Sequence, residues 1–108
     1  VAAISHLPYL LSVGLVGTVE QMAKQDPAPW KLASSGFRDT SRLAGSDLTM
    51  MGDILLTNRE AVLDALKIFE VQMQSLESAV RTSDEATLRG ILGDARTARL
   101  HWANRSPE

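Results

Sequence analysis

Val62, Leu63, Leu66, Phe69, Met73, Leu76 and Val80 recur three or four positions apart, and no run of alternating apolar and polar residues competes with that period anywhere in the chain. The stripe predicts one long helix ending near Arg81. A second stripe, Leu88, Ile91, Leu92, Ala95, Ala98 and Trp102, predicts another, and the short connection between them predicts an antiparallel hairpin of the kind found in helical bundles. Thr82-Ser-Asp-Glu85 fits a capping box at the start of the last helix. Upstream, residues 2–24 are rich in Leu, Val and Ala and predict a largely buried helix, in which Pro8 makes a kink or marks an early turn. Gln25-Asp-Pro-Ala-Pro29 breaks the chain, and Pro29 suits the first turn of a helix from Trp30 to about Ala44, interrupted around Gly36. Gly45 ends that helix. Ser46 or Asp47 caps a short helix over 48–57, with Met50, Met51, Ile54 and Leu55 facing inward, and Asn58 caps the long one. The expected fold is all-α, a bundle of about five helices.

A chain of 108 residues makes a single domain and buries a single core. Its first helix is apolar nearly all round, and such a helix must be covered all round. One small bundle cannot cover it, so homodimerisation through the long apolar helices is the simplest expectation. The first residues read like the middle of a helix, as though cut from a longer protein.

Composition removes several functions. Hydrophobic residues make up 44% and charged residues 22%, with a net charge of −2, so neither nucleic acid nor an anionic membrane is an expected partner. There is no cysteine, hence no disulfide, thiolate nucleophile or cysteine metal site. No stretch reaches the roughly 18 apolar residues of a membrane span. The apolar start lacks a basic flank, and the cytoplasm is the expected compartment. Gly14-Leu-Val-Gly17 lies within an apolar helix, follows no strand and lacks a third glycine, so it is no phosphate loop; small residues there permit close helix packing. Arg89, Arg96, Arg99 and Arg105 give the last helix a basic face, with His101 among them, and read as solvated surface.

Two places carry polar chemistry that a bundle does not need. In Ala33-Ser-Ser-Gly-Phe-Arg-Asp-Thr-Ser-Arg-Leu-Ala44, Arg38 and Arg42 are four residues apart and share a helix face, where they can grip an anion together. Gly36 permits close approach, Thr40 and Ser41 add hydroxyls, and Asp39 can orient an arginine. The segment reads either as a carboxylate clamp or as a solvated turn with ordinary caps and ion pairs. His6, in Ile4-Ser-His-Leu-Pro-Tyr9, stands in an apolar setting where both ring nitrogens need partners, as a structural histidine or as a ligand-binding one.

Together, Ser5-His-Leu-Pro8 and the segment from Ala33 to Ala44, followed by Gly-Ser-Asp and a Met-rich helix, resemble the C-terminal helical domain of the prephenate/arogenate dehydrogenase family, across essentially the whole chain. The resemblance implies an NAD- or NADP-dependent oxidation of a cyclohexadienol, prephenate or arogenate, with loss of the ring carboxylate as carbon dioxide, in tyrosine biosynthesis. It implies an N-terminal Rossmann domain, absent from this chain, that carries the cofactor loop and the catalytic histidine. No catalytic, cofactor-binding or metal residue is therefore expected here, and the fragment alone is expected to be inactive. It implies an intertwined homodimer, with substrate in the cleft between the two domains. Position by position, Arg42 matches the arginine on a substrate carboxylate, Arg38 and Asp39 the charged pair at the entrance, and His6 a pocket histidine. Ser35 stands where some relatives have a glycine that influences tyrosine inhibition. Tyr9 replaces a second histidine of some members, and Met51 a tryptophan of several. The rival expectations are a non-enzymatic helical interaction domain and the helical domain of another two-domain dehydrogenase.

Overall fold

A computed structural model describes residues 2–26 and 35–105, all helices and connecting turns. A π-helical turn, Ala2–His6, leads into α1, Leu7–Ala23. Next come α2, Ser35–Ser41, and a 3-10 turn, Arg42–Gly45. Helices α3, Leu48–Thr57, α4, Arg59–Arg81, and α5, Glu85–Arg105, complete the chain. The five helices agree with the all-α expectation. The chain divides into two compact units, Val1–Lys67 and Ile68–Glu108, with α4 continuous through the division. The predicted helix start at Trp30 and the breaker at Pro27 and Pro29 lie outside the described residues.

In the first unit, Pro8 sets the entry to α1. A proline ring clashes with the carbonyl four residues back and supplies no N–H, so an α-helix cannot run unchanged through it. The chain responds by widening into the π-turn that ends at His6 and restarting with Pro8 in the first turn of α1. Of the two outcomes expected at Pro8, a kink or an early turn, the structure shows the early turn.

Helix α1 is apolar nearly all round but buried on one side. Leu11, Ser12, Leu15, Val16, Val19 and Ala23 turn inward, while Val13, Gly17 and Met22 face outward. Its inner face packs on α2 and on the 3-10 turn, where Leu43 and Ala44 are half-buried. Among the described residues Ser12 is the most enclosed side chain, 1% exposed, and its hydroxyl donates to the Thr40 carbonyl at 2.5 Å. A buried hydroxyl without a partner costs free energy, and this bond satisfies it while tying α1 to the end of α2. The glycines of Gly14-Leu-Val-Gly17 have open space where a side chain would go, so the close packing expected of them is not with this chain's own described residues.

Of the two caps expected for α3, Asp47 serves, its carboxylate accepting from the Met50 amide at 2.8 Å. Two other local expectations change. Met50 itself faces solvent, leaving Met51, Ile54 and Leu55 as the inner positions. Asn58 does not use its side chain to cap α4: its backbone carbonyl accepts from the Val62 amide at 3.0 Å and its side-chain amide turns to His6.

In the second unit, α4 ends in a Schellman motif. The Asp84 amide donates to the Ala79 carbonyl at 2.9 Å and the Ser83 amide to the Val80 carbonyl at 3.2 Å, with Ser83 left-handed at φ 54°. The capping box is therefore displaced. Thr82 bonds back to the Ser78 carbonyl, and Asp84 is the cap of α5, accepting from both the hydroxyl and the amide of Thr87. Those bonds, the hydroxyl first, hold the Asp84 carboxyl below its ordinary range. A left-handed serine carries a steric cost that glycine avoids. Ser83→Gly is expected to stabilise the fold by roughly 0.5–1 kcal/mol, read as a higher thermal midpoint; an unchanged or lower midpoint contradicts it.

Only near that turn do α4 and α5 pack, around Ala79, which is 3% exposed, with Leu88 and Ile91 half-buried. Farther away the two helices form no continuous seam, contrary to the close hairpin expected. Val71, Met73, Val80, Leu92, Leu100 and Trp102 remain largely exposed. The ion pairs Glu77–Arg81 and Glu85–Arg89 are solvent-exposed i,i+4 pairs and contribute little. Arg96, Arg99 and His101 are exposed as expected, with the Arg99 guanidinium 4.9 Å from the Trp102 ring centre.

Candidate functional site

The polar residues singled out in the sequence lie in the first unit, around the N-terminal half of α1. His6 is half-buried at the junction between the π-turn and α1. Its Nδ1 lies 3.4 Å from the side-chain nitrogen of Asn58, at the junction of α3 and α4. Six residues farther along α1, about 9 Å of helix rise, Ser12 holds the Thr40 carbonyl and with it the end of α2. Two long-range hydrogen bonds thus bring segments distant in the chain to one end of α1.

Arg38 and Asp39 lie on α2, both exposed. Arg42 opens the 3-10 turn and is exposed as well. The tighter winding places Arg42 roughly 60° around the axis from Arg38, rather than the roughly 40° of an unbroken α-helix. The shared face expected of the two guanidiniums is kept but widened. Among the described residues, Arg42 meets no carboxylate. Ser41, between them, is half-buried and donates its hydroxyl back to the Arg38 carbonyl at 3.5 Å. Ser35 is exposed at the first position of α2. Ser5, next to His6, is exposed too, and Tyr9 is half-buried.

Asn58 is the residue that sequence reading placed in the wrong role. An asparagine before a helical stripe signals a cap, and only the fold brings its amide to a histidine 52 residues away. Ser12 escapes sequence reading altogether; a lone serine in an apolar helix carries no signal for a buried long-range bond.

The arrangement suits an anionic organic ligand. Arginine side chains on an exposed turn supply charge and paired donors, and a half-buried imidazole supplies a further polar contact. A dinucleotide fits poorly. Gly14 and Gly17 lie in the middle of α1, where their amides serve the helix, and no glycine among the described residues has a positive φ to form a phosphate cradle. Among those residues no group of acids and histidines is arranged to hold a metal ion, and no helix is long and apolar enough to cross a membrane.

Comparison with known proteins bears on this geometry. The sequence model of the family described as "Prephenate dehydrogenase, dimerization domain" matches residues 1–94. Cyclohexadienyl dehydrogenase of Zymomonas mobilis subsp. mobilis is 33% identical over 100 residues, 92% of this chain and 34% of that protein. Prephenate dehydrogenase of Lactococcus lactis subsp. cremoris is 28% identical over 96 residues, 89% of this chain and 27% of the relative. The crystal structure of Synechocystis arogenate dehydrogenase superposes with a TM-score of 0.86 at 29% identity, covering 94% of this chain and 37% of the other. The chain thus spans about a third or less of the curated relatives it matches.

Proposed function

The chain belongs to the prephenate dehydrogenase dimerization-domain family, and on that premise we propose that it is the C-terminal helical domain of a dehydrogenase acting on prephenate or arogenate. The full protein oxidises the cyclohexadienol with loss of the ring carboxylate as carbon dioxide, using NAD or NADP held by an N-terminal Rossmann domain. That domain also supplies the catalytic histidine, and this one contributes the dimer interface and part of the substrate pocket. The dinucleotide, when bound, takes up the hydride.

The observation that carries the substrate assignment is the placement of Arg42. Its guanidinium is exposed on a turn that the Ser12–Thr40 bond holds against α1, with His6 at the end of the same helix. A cyclohexadienol carrying two carboxylates needs a fixed anchor while its ring aromatises, and a guanidinium gives paired, charge-assisted hydrogen bonds. On this reading Arg38 and Asp39 form the entrance; both are exposed on α2, as is Ser35 at its first position.

The homodimer reading is supported by α4. Met73, Leu76, Glu77 and Val80, with Arg81 beside them, share one open, largely apolar face of α4. Positions i, i+3, i+4 and i+7 are the four that form a hole for a knob from a facing helix. The exposed apolar residues of α5 are of the right kind to fill such holes in a second copy.

The test is steady-state turnover of the full-length protein, following NADH and NADPH formation with prephenate and arogenate in all four pairings. Turnover in at least one pairing is expected, and it identifies substrate and cofactor together. Absence of turnover in all four overturns the reading.

A further inference from the structure

We propose that Asn58 is a positioning residue for the pocket, its side-chain amide fixing the tautomer and ring orientation of His6 so that Nε2 is presented as a hydrogen-bond donor. The inference rests on the reading of His6 as a substrate-facing residue and adds to it the group that decides what His6 can offer.

The amide nitrogen of Asn58 has only hydrogens to give, and the atom facing it at 3.4 Å is His6 Nδ1. Nδ1 must then accept, and a neutral imidazole carries its one proton on the other nitrogen. The Nε2–H that results complements carboxylate and hydroxyl oxygens, whereas the opposite tautomer would turn a lone pair toward them.

Asn58 is itself held from both sides. Its backbone amide donates to the Ile54 carbonyl and its carbonyl accepts from the Val62 amide, each at 3.0 Å. The side chain therefore projects from a fixed point between α3 and α4. At the start of a helix, aspartate would serve as well as a cap and would also suit the helix dipole. An aspartate there would, however, only accept, and would draw the imidazole proton to Nδ1. Of the two good capping residues, asparagine is the one that can donate to His6, and this amide is turned away from the helix it precedes.

The test uses the full-length protein with selectively 15N-labelled histidine. Long-range 1H–15N correlations are expected to show His6 as the Nε2–H tautomer in the unaltered protein, the Nδ1–H tautomer in Asn58→Asp and a mixture in Asn58→Leu. Asn58→Asp retains a side chain able to cap a helix, so it guards against mere loss of folding. KM for the turned-over substrate is expected to rise about 5- to 10-fold in both variants, the loss of roughly one neutral hydrogen bond, with kcat changing less. An Nδ1–H tautomer in the unaltered protein, or a tautomer and KM unmoved by Asn58→Leu, overturns the inference alone. An unchanged KM in His6→Ala overturns the reading of His6 at the substrate, and the positioning role of Asn58 falls with it.

Discussion

Arg42→Ala in the full-length enzyme is expected to raise KM for prephenate or arogenate by about 30- to 800-fold, equivalent to roughly 2–4 kcal/mol, with a much smaller fall in kcat. A carboxylate anchored away from the atoms that exchange hydride and proton is bound alike in ground and transition states. Its loss therefore appears in KM. Arg42 is exposed at the start of the 3-10 turn and meets no carboxylate among the described residues, so truncation breaks no ion pair there and the fold is expected to persist. Arg42→Lys should recover only part of the loss, because an ammonium keeps the charge but not the planar pair of donors. Steady-state kinetics on the three proteins decides the matter: an unchanged KM in Arg42→Ala removes Arg42 from the site.

The second large effect is expected at the dimer. Val80→Glu should weaken self-association by roughly 10²- to 10⁴-fold, because a twofold interface contains the substitution twice and each copy loses about 1.5–3 kcal/mol of apolar burial. Val80 is 64% exposed and borders the four-residue hole on α4, so a glutamate there should be harmless to the isolated chain and costly only against a partner helix. Sedimentation of the full-length protein measures this directly. A dimer of undiminished affinity in Val80→Glu would place the interface elsewhere.

The fold was legible from the sequence wherever a signal was local. The stripe from Val62 to Val80, the Gly45–Asp47 boundary and the end of α4 at Arg81 each follow from residues close together in the chain. Errors arose where a local rule met a competitor. Thr82 and Glu85 have the spacing of a capping box, but the Schellman turn uses Thr82 to finish α4 and passes the cap to Asp84; a serine at the left-handed position hides a turn that a glycine would have signalled. Pro8 announced a disturbance without revealing that a widened turn would absorb it. A helix apolar on all sides, such as α1, gives no indication of which face turns inward. For the candidate site, Arg38 and Arg42 could be read from their spacing and His6 from its setting. The two bonds that assemble their surroundings, Asn58 to His6 and Ser12 to Thr40, join residues 52 and 28 positions apart, beyond the reach of any local pattern.

The Ser12 clasp also governs which positions are free to drift. Its acceptor is the main-chain carbonyl of Thr40, an atom that every residue type possesses. Position 40 can therefore vary widely without loosening α2 from α1. Position 12 cannot: alanine or valine would leave that carbonyl without its donor and put nothing polar in its place. The burden of holding the arginine-bearing turn falls on one side of a two-residue contact, and substitutions recorded across many variants should show that asymmetry.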